Sequence, residues 1–262
     1  MGCRIIDSPR ERLLATVTNS FVPCNGKFPT LITILTIFFA AGSAGGVIPA
    51  LLLTGVILLG VGMTFLVSRM LSATILRGVP SSFTLELPPY RRPQIGQILV
   101  RSVLDRTLFV LARAAAVAAP AGLLLWILAN VDVGGASLLS HCAQALDPIG
   151  RILGLDGAIL LAFILGLPAN EIVVPILIMT YMAQGSLSEL SLPQLQSLLL
   201  ANGWTWKTAV CMVVFSLLHW PCATTLATIF RETKSLKWTA AAFLVPTLCG
   251  AALCALIALI PV

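Results

Sequence analysis

The sequence predicts an all-α protein, a polytopic membrane helix bundle with broken or re-entrant helices. Three observations carry that prediction. Of the 262 residues 58% are hydrophobic and only 10% charged, at a mean hydropathy of +1.00; a soluble domain would carry about a quarter charged residues. Six apolar stretches approach the roughly 20 residues that a membrane span needs. Two of these stretches are interrupted by proline beside polar side chains, in "GLPANEIVVP" (166–175) and "FSLLHWPCATT" (215–225). The net charge of +6 sits in loops beside the spans, so the expected partner is the lipid bilayer and no nucleic acid is called for. The opening "MGCRIIDSPRERLL" is charged and lacks a following short apolar core with a small-residue cleavage site, so no cleavable signal is expected.

The expected spans run through "LITILTIFFAAG" (31–42), then about 47–68, 108–130, 157–183, 208–230 and 239–260. Basic residues collect on the cytoplasmic side. Arg4, Arg10, Arg12 and Lys27 therefore place the N-terminus inside, and Arg69, Arg77, Arg91, Arg92, Arg101 and Arg106 mark the return after two crossings. The loop 131–156 is acidic, with Asp132, Asp147 and Asp156 against Arg151, and reads as external. A simple fourth crossing would then export Arg231, Lys234 and Lys237. A fourth segment that enters and turns back returns them to the cytoplasm, so the charge bias predicts a re-entrant or broken element over 157–183. The stretch 186–204 is too polar for a hidden extra crossing. Residues 86–109 read as a proline-stiffened segment leading into an interfacial helix, with Ile95, Ile98, Leu99, Val103 and Leu104 on one face and Arg101 and Arg106 toward headgroups.

The breaks carry the candidate chemistry. A proline cannot donate to the carbonyl four residues back, so Pro168 frees Ile164, Pro175 frees Glu171 and Pro221 frees Leu217. Such backbone is tolerated at membrane depth where it faces protein or a watery cavity, and transporters use it to bind cations. Glu171 costs about 2.5–3.5 kcal/mol at a lipid-facing helix centre. Its plainer role is pairing with Arg113 or capping a half-helix; its functional role is a cation ligand beside Asn170. Arg113 itself snorkels to the cytoplasmic interface by default. His219 and Cys222 flank Pro221, and imidazole and thiolate suit borderline or soft transition metals. A second Pro-Cys pair, Pro23–Cys24, stands at the mouth of the first span and hints at an internal repeat. The seven cysteines are an odd number and lie mostly in apolar segments, which argues against a disulfide framework. Cys249 and Cys254 read as packing, Cys211 stays open, and His141 and Cys142 read as a solvated pair in the outer loop.

The motifs "GCRIIDSPRER", "FVPCNGKFPTL", "ELPPYRRP", "GLPANEIVVPI" and "FSLLHWPCATTLATIFRETKSLKWT" together resemble the bacterial ferrous iron transport protein B (FeoB) family, nearly end to end. The resemblance implies a gate-type membrane portion passing Fe²⁺ inward across the bacterial cytoplasmic (inner) membrane, with pathway cysteines at Cys24 and Cys222, a further candidate at Cys3, and the acidic residue of the second gate motif at Glu171. It divides the chain into the end of a first gate repeat (1–75), a basic cytoplasmic linker with its interfacial helix (76–106), and a second gate repeat with the C-terminal spans (107–262). Members normally carry a GTP-binding domain and earlier spans ahead of this portion. The chain contains neither the phosphate loop G-x-x-x-x-G-K-[ST] nor the guanine-reading Asn-Lys-x-Asp, so by itself it is expected not to be an enzyme. GTP would act only through that missing domain, Fe²⁺ is the transported ion, and no cofactor is held permanently. The expected partners are the missing N-terminal half in trans or a second copy of the chain.

Other readings share these residues. A gate-type fold could carry a nucleoside or another organic solute, although two tyrosines in all are a thin supply for such a site. Cys222 with His219 could serve an intramembrane hydrolase, but no orienting carboxylate or oxyanion device accompanies them. The chain could also be a membrane subunit that assembles without transporting.

Overall fold

The computed structural model describes residues 2–40, 46–76, 107–183, 185–186 and 190–260, with isolated positions between 78 and 100. The interfacial helix expected near 86–109 lies mostly outside the described residues, as does the side chain of Arg113 with its expected pairing. The described chain is helical apart from one small hairpin, Asp132–Val133 (β1) with Ala136–Ser137 (β2), which turns on Gly134 and Gly135 at φ of +65° and +88°. Positive φ at both central residues is what a two-residue hairpin turn demands.

Two stretches are each assembled from two helices with a Pro-Cys break between them, and the second, Trp206–Thr233, is long and apolar enough to cross a membrane. α1 (Pro9–Thr18) starts at the Ser8 cap with Pro9 in its first turn, and ends in a short 3₁₀ turn, Asn19–Phe21. After the break at 22–27 the chain continues as α2 (Phe28–Phe39). α3 (Val47–Thr74) is a continuous apolar span that comes back alongside them. Its end meets the start of α1, where Arg10 Nε donates to Leu76 O. The N-terminal helix and the entrance to the basic segment after residue 76 therefore share one end of the bundle, as the charge count requires. α4 (Phe109–Asn130), with Pro120 inside it, leads to the hairpin and α5 (Leu138–Ile152).

α6 (Gly157–Leu165) and α7 (Val173–Met182) are the two arms of the predicted re-entrant element. α5 and α6 meet at 109°. Asp156 caps α6, its Oδ1 accepting from Ile159 N at 2.7 Å, and its Oδ2 accepts from the Tyr181 hydroxyl at the far end of α7. The start of α6 and the end of α7 thus lie side by side, so the arms run antiparallel and the break at 166–172 is their tip. Trp204 Nε1 donates to Tyr181 Oη at 2.7 Å and ties this base to the loop after α8 (Leu192–Ala201). α8 is short, and its Gln196 Nε2 donates to Ile37 O at 3.2 Å.

The second broken span runs the other way. α9 (Trp206–Leu218) begins beside Trp204, where Lys207 Nζ donates to Ala258 O at 2.6 Å near the end of α11 (Leu236–Ala258). After the break at 219–222, α10 (Ala223–Thr233) ends beside α1. Glu232, Ser235 and Trp238 enclose one cavity with Pro9 and Arg12, so the turn at Lys234 and the start of α11 with Lys237 share the end of the bundle with Arg10 and Leu76. The fully buried core, including Phe163, Phe215, Leu31, Ile176 and Met212, lies where α2, α6, α7 and α9 pack. α3 and α4 keep large apolar side chains exposed, among them Leu51, Phe65, Leu111 and Trp126, as lipid-facing helices do.

One correction to the sequence reading concerns Lys27. It is 3% exposed and lies at the midpoint of the first broken span rather than in a cytoplasmic cluster. Likewise Pro23–Cys24 stands inside that span, because α1 supplies the half that the hydropathy pattern omits.

The elbow between α5 and α6 depends on Gly157, where a Cβ would overlap Ala143 O and Asp147 N. Gly157→Ala is expected to cost about 1–3 kcal/mol, read as a lower melting temperature in detergent. Gly122→Ala, in α4 with open space around it, is expected to be neutral or stabilising by up to about 1 kcal/mol.

Candidate metal pathway

The two Pro-Cys breaks face each other. A cavity of about 190 Å³ is lined by Cys24, Cys222, Asn170, Ser20, Lys27 and Thr225, among others. It therefore joins the first broken span, the second broken span and the tip of the re-entrant hairpin. A main-chain bond fixes the last two together: Ala223 N donates to Leu167 O at 2.8 Å. Leu167 lies next to Pro168, and Ala223 follows Cys222, so the bond spans both breaks.

Of the carbonyls expected to be freed, Leu217 O has found a partner. Lys27 Nζ donates to it at 2.7 Å and to Ser20 O at 3.3 Å. A buried ammonium is expensive unless hydrogen-bonded, and the carbonyl orphaned by Pro221 is the acceptor it needs. Ile164 O, freed by Pro168, accepts from Leu167 N at 3.2 Å. Pro175 falls in the first turn of α7, where its missing N–H is no loss.

Cys222 sits at the N-cap of α10, with the Thr224 and Thr225 hydroxyls 3.1 and 3.2 Å from its Sγ. Cys24 is exposed, and both thiols are free. Asn170 is 6% exposed. Glu171 is exposed, and its side chain lies over the loop after Cys24: a Cβ at Gly26 would stand 3.4 Å from Glu171 Cγ and 3.6 Å from Asn170 Cβ. His219 is 1% exposed and does not line the cavity. Its Nδ1 lies 2.8 Å from Ser216 O and 3.1 Å from Phe215 O, while Nε2 faces Asn170 Oδ1 at 3.4 Å. Phe163 and Phe215 hold the ring, at centroid distances of 4.8 and 6.0 Å. Among the described residues no three His, Cys, Asp or Glu side chains converge to hold a metal; the cavity offers two thiols, the amides of Asn19 and Asn170, and the hydroxyls of Ser20 and Thr225.

Ser20 went unread in the sequence. It is 6% exposed, lines the cavity, and its Oγ finds no hydrogen-bond partner among the described residues. A lone serine before an apolar run carries no signal, and only the adjacency of the two breaks reveals it. Cys3 lines a neighbouring cavity with Asn19 and Thr225. Cys211 and Cys254 face each other between α9 and α11, Cys254 Sγ donating to Cys211 O at 3.4 Å, and serve packing. His141 Nε2 lies 2.8 Å from Val133 O in the external hairpin, away from the cavity.

Broken helices of opposite direction, a helical hairpin and thiols at their crossing define a polytopic membrane protein with a polar break at its centre. Residues 111–236 match the gate family described as nucleoside recognition, and residues 53–105 match the family described as the ferrous iron transport protein B C terminus. Together these matches identify the chain as a C-terminal membrane region of the ferrous iron transport protein B type, containing its gate domain. Similar curated proteins are each named Fe(2+) transporter FeoB. That of Staphylococcus aureus (strain MSSA476) is 29% identical over 256 residues, covering 94% of this chain and 36% of its own length. That of Leptospira interrogans (strain Fiocruz L1-130) is 25% identical, covering 91% and 37%, and that of Campylobacter jejuni (strain ATCC 700819 / NCTC 11168) is 24% identical, covering 93% and 41%. The chain thus spans less than half the length of these relatives, and no GTPase domain lies within its 262 residues. No solved structure matches. With three helices among the described residues long and apolar enough to cross a membrane, it is a multi-pass protein of the bacterial inner membrane.

Lys27→Met removes the donor to Leu217 O and Ser20 O. Leaving buried acceptors unpaired costs about 1–3 kcal/mol, so the purified variant is expected to melt several degrees lower, while Lys234→Met, on the exposed loop, is expected to leave the melting temperature unchanged.

Proposed function

We propose that this chain forms the membrane path for inward movement of Fe²⁺, as the membrane portion of a larger ferrous iron transporter. The observation that supports this reading is the meeting of Cys24 and Cys222 in one cavity at the crossing of two broken spans. Fe²⁺ is the cargo. Thiolate and amide oxygen form a mixed soft and hard donor set suited to a borderline divalent ion, and binding releases the thiol protons. Two thiolates outweigh the single ammonium of Lys27, whose hydrogens already point at Leu217 O and Ser20 O. Asn170 supplies an amide, Glu171 extends the acceptor set to the exposed side, and His219 packs behind Asn170. GTP would act through a separate domain, and the partners are that domain with its spans, or a second copy of this chain.

A nucleoside cargo is the reading that the name of the gate family brings. Among the described residues lining the cavity there is no aromatic ring to stack a base, and the thiols would have no part to play.

The test is uptake of ⁵⁵Fe²⁺ by membranes carrying the intact natural protein. Cys24→Ser and Cys222→Ser are each expected to weaken apparent affinity by about tenfold or more, equivalent to ~1.4 kcal/mol, at equal abundance in the membrane. Excess Mn²⁺ should compete and uridine should not. Uptake unchanged in the double cysteine variant, or uridine uptake in place of iron, would refute the proposal.

A further inference from the structure

We propose that the cation leaves the Cys24–Cys222 cavity along a polar groove between α1 and α10 that opens at the cytoplasmic end beside Glu232. This inference rests on the transport reading above and adds the route and the residues that line it.

The groove follows from three cavities that share walls. The central one has Asn19 and Thr225 in common with a second, of about 210 Å³, which Thr16, Thr228 and Glu232 also line. The second shares Thr16 and Glu232 with a third, of about 310 Å³, bounded by Arg12, Ser235 and Trp238. Thr225, Thr228 and Glu232 follow one another at i, i+3 and i+7 on α10, and Arg12 and Thr16 on α1 lead at i and i+4 to Asn19 at i+7, the C-cap of that helix. Those spacings put each set on one helix face. Each helix of the pair therefore turns a polar stripe toward the other inside a protein that is otherwise mostly apolar.

The hydroxyls are arranged to accept. Thr228 Oγ1 donates to Thr224 O at 2.8 Å, and Thr16 Oγ1 donates to Arg12 O at 2.7 Å. A hydroxyl has one hydrogen and two lone pairs, so with the hydrogen turned back onto its own helix each oxygen presents only acceptor capacity. Hydroxyl and amide oxygens ending at a carboxylate suit a partly hydrated divalent cation. The far mouth opens beside Arg12 and Ser235, at the end of the bundle where Arg10, Lys234 and Lys237 gather. The excess of basic residues marks that end as cytoplasmic. Arg12 itself is exposed, and its charge is screened by water there.

The experiment uses the intact natural protein in inside-out membrane vesicles. Thr228→Cys is treated with a membrane-impermeant cationic methanethiosulfonate, and the unsubstituted protein supplies the background from native cysteines. Labelling at position 228 above that background, with a fall in Fe²⁺ flux of about fivefold or more, is expected. Independently, Thr228→Val, which keeps shape and removes the oxygen, is expected to slow flux, and Thr228→Ser to restore it, at equal abundance and melting temperature. A cysteine at 228 that stays unlabelled, or a Thr228→Val variant with full flux, in a protein whose uptake still depends on Cys24 and Cys222, overturns the groove and leaves the metal cavity standing. No Fe²⁺ flux in the unsubstituted protein overturns the transport reading and the groove with it.

Discussion

The hydrogen bond from the Lys27 ammonium to Leu217 O is the contact around which the bundle is organised. Pro221 leaves Leu217 without its helical partner, and the first broken span leaves a lysine at the same depth. Each is costly alone in an apolar interior, and each supplies what the other lacks. The ammonium also reaches Ser20 O, so one side chain gathers carbonyls on either side of the crossing. The close fit of Gly60 to Phe21 O, where a Cβ would stand 2.5 Å away, brings α3 against the same turn. Three stretches of irregular backbone are thereby concentrated in one small volume, leaving the lipid-facing surfaces to regular helices.

The arrangement has an inverted character. α1 and α2 rise from the basic end toward the Trp204 end, while α9 and α10 descend, and each pair is interrupted at Pro-Cys. Half-helices of opposite direction meeting at mid-depth are the usual setting for ion sites in secondary transporters. Here the re-entrant tip, with Asn170 and Glu171, closes the third side. His219, stacked among Phe163 and Phe215, belongs to the scaffold behind that tip.

Much of this was legible in the sequence, and the failures are instructive. The re-entrant arms could be read because a charge count constrains topology without knowledge of packing: Arg231, Lys234 and Lys237 had to return inside. The breaks could be read because proline acts locally. α1 could not, since "PRERLLATVT" holds three charged residues in its first turn and falls below any span threshold. Lys27 was misplaced because hydropathy treats every lysine as wet, and only a carbonyl 190 residues away explains its burial. The threonines of α10 gave no signal because a hydroxyl that bonds its own helix is tolerated facing either oil or water. Ser20 became visible only when the two Pro-Cys breaks were brought together.

The main-chain bond from Ala223 to Leu167 makes the hairpin tip and the second thiol one mechanical unit. A rocking of the hairpin about its Asp156–Tyr181 base would swing the tip as a lever and drag the start of α10 with it. The hairpin tip and the second Pro-Cys break would then move in one stroke, joined by a single peptide contact rather than by a distant hinge.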